Sequence, residues 1–446
     1  MLLYRGLREL VRLSMLVFFR RVQVVGGEGV PAEGAVIFFG NHPNSLLDPA
    51  LLIAFAPRRV HFAAKDTLFS HAPLAWLLGQ MGAVPIRRRM DHGEGGAAPL
   101  NNDAAFEALH ALLAGGEAMG IFPEGISHDG AQLAELKTGA ARIALGALAQ
   151  GIPVSLVPCG LHYLKRRRFR TSALIQLGAP LALTPEALRA APLTPRQLTE
   201  QMELHLRALT VNADSWEAVT LLDAARRVYQ PPGLSLPERV ELMRRFNLYY
   251  PQLAGREDIA RLTRALEEYQ EDLDDLSLTD REVAGDLSAR ALTLRALRQG
   301  LAMCLWAPLA LLGAPLHLPI AYLLRRGSVS LAPRKDVIAT TKFLAGFLTL
   351  NALYLSAGVA AWWWGAGAAL SALTPVALAL SGFATLKVSE RAGALWRALW
   401  VCARCLSAKE TLRDLRARRR ALREEVWAAV DAYAPEGLAR VVSRGG

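Results

Sequence analysis

Two residue types that together can activate a hydroxyl stand six positions apart: His42 and Asp48, in Gly40-Asn41-His42-Pro43-Asn44-Ser45-Leu46-Leu47-Asp48-Pro49. An imidazole beside a carboxylate is the basic unit of general-base catalysis. The carboxylate fixes the tautomer and stabilises the imidazolium as the proton arrives. No Gly-x-Ser-x-Gly nucleophile stands next to it, which favours direct attack by a substrate hydroxyl over a covalent enzyme intermediate. A lone His near a lone Asp is more often structural, so company elsewhere in the chain decides. Three stretches supply it. Gly82-Ala83-Val84-Pro85-Ile86-Arg87-Arg88-Arg89 ends an apolar run in guanidinium groups suited to phosphate. Ile121-Phe122-Pro123-Glu124-Gly125-Ile126-Ser127-His128 follows another such run, and its Gly lets backbone and ligand approach closely. Val157-Pro158-Cys159-Gly160-Leu161-His162-Tyr163 leads into Lys165, Arg166, Arg167, Arg168 and Arg170.

These stretches need a scaffold, and the pattern around them describes one. Ala35-Val36-Ile37-Phe38-Phe39 reads as a buried strand entering the His42 turn, with a helix starting near Ala50. Strand signals at 22–25, 35–39, 59–63, 83–87, 118–122, 154–158 and 173–177 alternate with helix signals at 49–56, 70–80, 102–115, 137–149, 184–190 and 195–209. That alternation predicts an α/β domain over 23–210. Residues 1–22 read as an amphipathic helix lying in a membrane interface, or packed on the domain's own core. Residues 211–298 read as a helical extension; Ile259, Leu262, Leu266, Tyr269 and Leu273 mark one packed stripe.

Residues 299–388 form a membrane region. Segments 343–364 and 366–386 are each long and apolar enough to span, with Trp362, Trp363 and Trp364 at their turn. Segment 300–324 contains Pro308, Pro315 and Pro319 and has basic flanks on both sides, so it is expected to be broken or re-entrant. Residues 389–446 close the chain as a basic helical tail whose run at Arg416, Arg418, Arg419 and Arg420 faces either water or lipid headgroups.

Composition agrees with a membrane protein: 446 residues, 52% hydrophobic and a net charge of +11, with a mean hydropathy of +0.22. The excess charge flanks apolar segments along the chain, which disfavours nucleic acid as a partner. Cys159, Cys304, Cys402 and Cys405 are too few for a disulfide framework, and Cys402-x-x-Cys405 lies in a basic helical stretch outside any βαβ pattern. No metal and no cofactor is expected.

Taken together, the four motif stretches resemble the glycerolipid acyltransferase family that makes lysophosphatidate and phosphatidate, over about residues 30–180. The resemblance implies an α/β domain lying on the membrane with an acyl tunnel. It implies that His42 is the general base on a glycerol hydroxyl and that Asp48 orients it. It implies that Arg88, with Glu124, Gly125 and Ser127, holds the glycerol phosphate, and that Pro158, Cys159 and Gly160 line the acyl-donor pocket. The usual family pattern leaves four residues between His and Asp; here five intervene, Pro43 to Leu47.

That departure points to a branch. The His42–Pro49 block, Phe122–Asp129 with Leu136-Lys137-Thr138-Gly139, and Phe169-Arg170 look like the fungal-type glycerol-3-phosphate and dihydroxyacetone-phosphate acyltransferases, as do Trp216 and Ala225-Arg226-Arg227-Val228-Tyr229. The implied reaction moves a fatty acyl chain from an acyl-CoA or acyl-carrier-protein thioester to the sn-1 hydroxyl of glycerol-3-phosphate or dihydroxyacetone phosphate. It is the first step of phosphatidic acid and glycerophospholipid synthesis, carried out at the lipid bilayer on the cytoplasmic face of the inner membrane. Three alternatives stand beside it: a 1-acyl-sn-glycerol-3-phosphate acyltransferase, a non-catalytic membrane scaffold, and a transporter built on 299–388 with His317 as its functional flag.

Overall fold

The computed structural model describes residues 2–70, 72–87, 102–231, 233–285, 289–407 and 409–433. The chain divides into two compact units, Met1–Ser215 with Ala332–Thr340, and Trp216–Leu331 with Thr341–Gly446.

The first unit is the expected α/β domain. Its elements in chain order are α1 (Leu2–Phe18), β1 (Arg21–Val25), β2 (Ala35–Gly40), α2 (Leu47–Phe55), β3 (Val60–Lys65), α3 (Ala72–Gln80), β4 (Val84–Ile86), α4 (Asp103–Ala114), β5 (Ala118–Ile121), α5 (Gly139–Ala149), β6 (Val154–Tyr163), β7 (Ser172–Leu177), β8 (Leu181–Leu183), α6 (Pro185–Ala190) and α7 (Pro195–Leu209). The strands form one sheet in the order β1-β7-β6-β2-β5-β3-β4, with β8 pairing β6.

Strand β2 is central and runs parallel to β5 and β6 on its two sides. Every one of its residues is buried. A continuous apolar run, rather than an alternating one, is what a strand covered on both faces requires. One face packs Ile37, Phe39, Met119 and Leu156 against Leu109 of α4 and Ile143 of α5. Strand β6 continues to Tyr163, past the expected end at 158, because β7 pairs antiparallel with its far half from Cys159 to Tyr163.

Helix α1 packs one face on the domain. Tyr4, Met15 and Phe18 are buried, and the Arg8 guanidinium donates to the carbonyls of Ile53 at 3.0 Å and Ala56 at 2.8 Å, capping the end of α2. Its other face leaves Leu2, Leu10, Leu13 and Leu16 exposed.

The second unit is helical: α8 (Trp216–Tyr229), α9 (Leu236–Leu253), α10 (Glu257–Asp275), α11 (Asp280–Ala284), α12 (Ala289–Ser330), α13 (Ile338–Trp363, its first residues in the first unit), α14 (Gly367–Ser407) and α15 (Lys409–Tyr433). Tyr229, Leu242, Leu266, Tyr269, Leu422 and Val426 form a core of α8, α9, α10 and α15. Part of the basic run of α15 is engaged by the protein itself, while Arg420 is exposed. Arg418 donates to Asp272 at 2.6 Å and to Glu268, and Arg419 donates to Asp280 at 2.7 Å.

Three helices are long and apolar enough to cross a membrane: Ala296–Ser330, Lys335–Trp363 and Gly367–Arg404. The first corrects an expectation. Pro308, Pro315 and Pro319 do not break the 300–324 segment; all three lie inside one continuous helix. An internal proline removes a backbone bond and costs about 3 kcal/mol in an isolated helix. Here close packing along α14 offsets it. A Cβ on Gly313 would stand 2.6 Å from the Ser381 carbonyl oxygen, so the two backbones touch. His317 is buried in the same packing. Its Nε2 lies 2.8 Å from the Tyr354 hydroxyl and its Nδ1 2.8 Å from the Gly313 carbonyl.

Candidate active site

The His42 turn leaves the carboxyl end of β2, where ligands of parallel sheets bind. Gly40 at its start suits a tight approach: a Cβ there would lie 3.0 Å from the Cys159 carbonyl oxygen, so the neighbouring strand would have to give slightly. Asn41 then bridges to β6 as a strand would, its side chain accepting from Leu161 N–H at 2.7 Å and donating to Leu161 C=O at 3.1 Å. Between His42 and Asp48 the turn passes through Ser45, whose φ of 49° is left-handed. Leu47 N–H and Asp48 N–H then close on the carbonyls of Asn44 and Ser45, and α2 begins with Asp48 in its first turn.

The result is a dyad. His42 Nδ1 lies 2.8 Å from Asp48 Oδ2. Asp48 is fully buried, and its carboxylate also accepts from Asn44 N–H at 2.7 Å and from the Tyr163 hydroxyl at 2.5 Å. An ionised carboxylate only accepts, so Nδ1 carries the proton and Nε2 keeps its lone pair. The imidazole stacks on the Phe122 ring, centroids 4.2 Å apart and 6° from parallel. Burial, with the neighbouring Asp48 charge, holds the Tyr163 hydroxyl well above its ordinary pKa, so it remains a donor.

Glu124 is 2% exposed. One carboxylate oxygen accepts from His42 N–H at 2.6 Å; the other accepts from Ala134 N–H at 2.8 Å and pairs with His128 Nε2. The bond to Glu124 raises the His128 pKa above 6.5, against desolvation. Gly125 takes a φ of 72° in the turn that follows, and Lys137 N–H bonds back to Pro123 C=O at 2.7 Å.

Ser127 Oγ donates to Asp336 Oδ2 at 2.6 Å, and Arg334 reaches both, at 3.2 Å to Ser127 and 2.9 Å to Asp336. Thr340 donates to the Asn44 carbonyl at 3.0 Å. The segment between α12 and α13 thus belongs to the same unit as the dyad.

The structure brings His42, Asp48, Glu124, Gly125 and Ser127 together. Arg88 lies outside the described residues. Its neighbour Arg87 bonds through its backbone to the Asn102 side chain. Pro158 and Cys159 pair in register with Phe39 and Gly40, Gly160 pairs with Gln176 of β7, and all three are buried. Burial pushes the Cys159 thiol pKa far up and holds His162 down at about 4, so both are neutral. An apolar cavity of about 540 Å³ opens elsewhere, between β3, β4 and α4, lined by His61, Val84, Ala108, Ala111 and Leu112 among others. Tyr163, Asn44 and Phe122 were not singled out from the sequence. Tyr163 stood in a quoted block, and its signal was a polar tip at the end of an apolar strand.

Residues 21–162 match the family model described as Acyltransferase, and residues 221–438 match that described as Glycerol-3-phosphate acyltransferase 2 C-terminal domain. Glycerol-3-phosphate O-acyltransferase 2 of Saccharomyces cerevisiae is 30% identical over 58% of this chain and 38% of its own length. Glycerol-3-phosphate O-acyltransferase 1 of the same yeast is 30% identical over 58% of this chain and 37% of its own. A 1-acyl-sn-glycerol-3-phosphate acyltransferase of Borreliella burgdorferi is 24% identical over 38% of this chain and 65% of its own. The chain thus spans well under half the length of the two yeast relatives it matches.

Proposed function

We propose that this chain, which matches a general acyltransferase model over 21–162 and a glycerol-3-phosphate acyltransferase C-terminal domain over 221–438, transfers a fatty acyl group from an acyl-CoA or acyl-carrier-protein thioester to the sn-1 hydroxyl of glycerol-3-phosphate or dihydroxyacetone phosphate. The observation that carries the reading is the His42–Asp48–Tyr163 chain of hydrogen bonds, which leaves His42 Nε2 as an available base. Nε2 takes the hydroxyl proton as the alkoxide oxygen attacks the thioester carbonyl. The tetrahedral intermediate expels the thiolate, and the His42 imidazolium returns the proton to it. Asp48, which accepts from Asn44 N–H and the Tyr163 hydroxyl besides His42, stabilises that imidazolium. Arg88, Gly125 and Ser127 are assigned to the phosphate, and Glu124 acts through the turn, its oxygens engaged by His42, Ala134 and His128. Pro158, Cys159 and Gly160 press the strand ends together beside the acyl-donor pocket. The reaction is placed at the cytoplasmic face of the inner membrane.

The name of the Borreliella relative favours a second acceptor, 1-acyl-sn-glycerol-3-phosphate. An acceptor panel with purified full chain in detergent separates these readings: glycerol-3-phosphate, dihydroxyacetone phosphate and 1-acyl-sn-glycerol-3-phosphate, each with one acyl-CoA and one acyl-carrier protein. Turnover of glycerol-3-phosphate or dihydroxyacetone phosphate is expected. Turnover of the lysophospholipid alone establishes the second reading, and none with any pair overturns both.

A further inference from the structure

The hydroxyl expected to hold phosphate is already engaged. Ser127 donates to Asp336, which is 4% exposed. A bare buried carboxylate there would repel a phosphate dianion. Asp336 is not bare, however: Arg334 Nη2 bridges Asp336 Oδ2 and Ser127 Oγ at 2.9 and 3.2 Å. The rest of that guanidinium is open. Its side chain is 57% exposed, and Nε and Nη1 have no hydrogen-bond partner among the described residues. The nearby Arg166 and Arg167 differ, since both pair with Asp129.

Two contacts tie this corner to the dyad. His128 N–H bonds to the His42 carbonyl at 3.2 Å, and Thr340, six residues past Arg334, bonds to the Asn44 carbonyl. A guanidinium fork remains charged at any working pH and matches a phosphate with two parallel N–H bonds.

We propose that Arg334 binds the phosphate of the acceptor, with Asp336 and Ser127 holding its guanidinium in place. This rests on the acyltransferase reading above. Asp336 is a positioning residue: it holds one edge of the guanidinium so that the other is presented at little entropic cost.

Steady-state kinetics of the full chain with varied glycerol-3-phosphate tests the assignment. Arg334→Ala is expected to raise the acceptor KM by about 10- to 100-fold, the range for a charge-assisted contact, with little change in kcat. Arg334→Lys should recover part of that loss, since a point charge replaces the fork. Arg196→Ala, on the exposed face of α7, is the control for net charge and should leave KM unchanged. An unchanged KM in Arg334→Ala, or a lowered kcat and melting temperature at constant KM, assigns Arg334 a structural role and overturns the proposal alone. Absence of turnover by the wild-type chain with every acceptor overturns the parent reading and this one with it.

Discussion

The catalytic sheet and the long helices α12–α14 use the same side chains in opposite ways. In the sheet, Ile37, Phe38 and Leu156 are at most 1% exposed. On the helices, Leu301, Leu305, Leu312 and Trp363 are 77–84% exposed. Keeping such a side chain in water forgoes about 1.5–3 kcal/mol. Polar groups differ as well. Around His42 the buried Asp48 and Glu124 are carboxylates that hold a turn whose imidazole keeps 18% exposure, whereas on the helices the buried polar groups His317, Ser381 and Thr385 are uncharged or weakly basic side chains set between apolar rods. One region is made for water outside and oil inside. The other has its apolar surface outward and its hydrogen bonds inward, the arrangement of helices packed in lipid. The charge and composition of the whole chain average over the two and describe neither.

The contrast can be broken from the polar side first. His42→Ala should lower kcat by about 10²–10⁴, the contribution of a positioned base, with a smaller change in KM. Normal turnover in the folded variant would remove the mechanism. From the apolar side, Leu311→Asp with Leu312→Asp places charges on a surface meant for lipid. Each is expected to disfavour insertion at a helix centre by about 2.5–3.5 kcal/mol. Vesicle flotation should show less bound protein at unchanged helicity by circular dichroism; equal flotation would return α12 to an ordinary protein surface.

The third prediction sharpens the polar side. The folded-state pKa of His128 lies above 6.5, through its bond to Glu124. Its contribution to stability is therefore fully present below about 6.5, the unfolded value, and is lost as pH rises through the raised folded value. His128→Gln should remove that component, so melting temperatures of the two proteins should converge towards alkaline pH. Parallel curves across the range would exclude the pair as a titrating contact. The smallest effect is on the helices, where Tyr354→Phe removes the partner of His317 and should cost about 0.6 kcal/mol, the average for hydrogen bonds between membrane helices. A loss several times larger, by unfolding in detergent, would show that burial there is as demanding as in the sheet.

What could be read in advance was whatever repeats locally or sits at a short separation. The β2 run, the helix periods and the His42-to-Asp48 spacing are all of that kind, and β2, α4, α5 and α7 lie within two residues of their expected ends. The dyad closes at 2.8 Å with five residues between its members, and the turn includes a left-handed Ser45, which composition does not advertise. Tyr163 and Asp336 were out of reach for a different reason: their partners lie 115 and 209 positions away. The prolines of α12 misled because helix-breaking is a property of an isolated helix, and Gly313 against Ser381 is a tertiary fact. Arg88, on which the phosphate expectation leaned most, lies among residues the structure does not describe.

The return of the chain to the first unit at Ala332–Thr340 puts a brace beside the dyad. Helix α13 opens at Ile338 within that stretch, and its Thr340 hydroxyl donates to the Asn44 carbonyl at 3.0 Å. The turn that carries His42 is thus held by a residue 296 positions further along the chain, so its shape depends on folding well beyond the sheet.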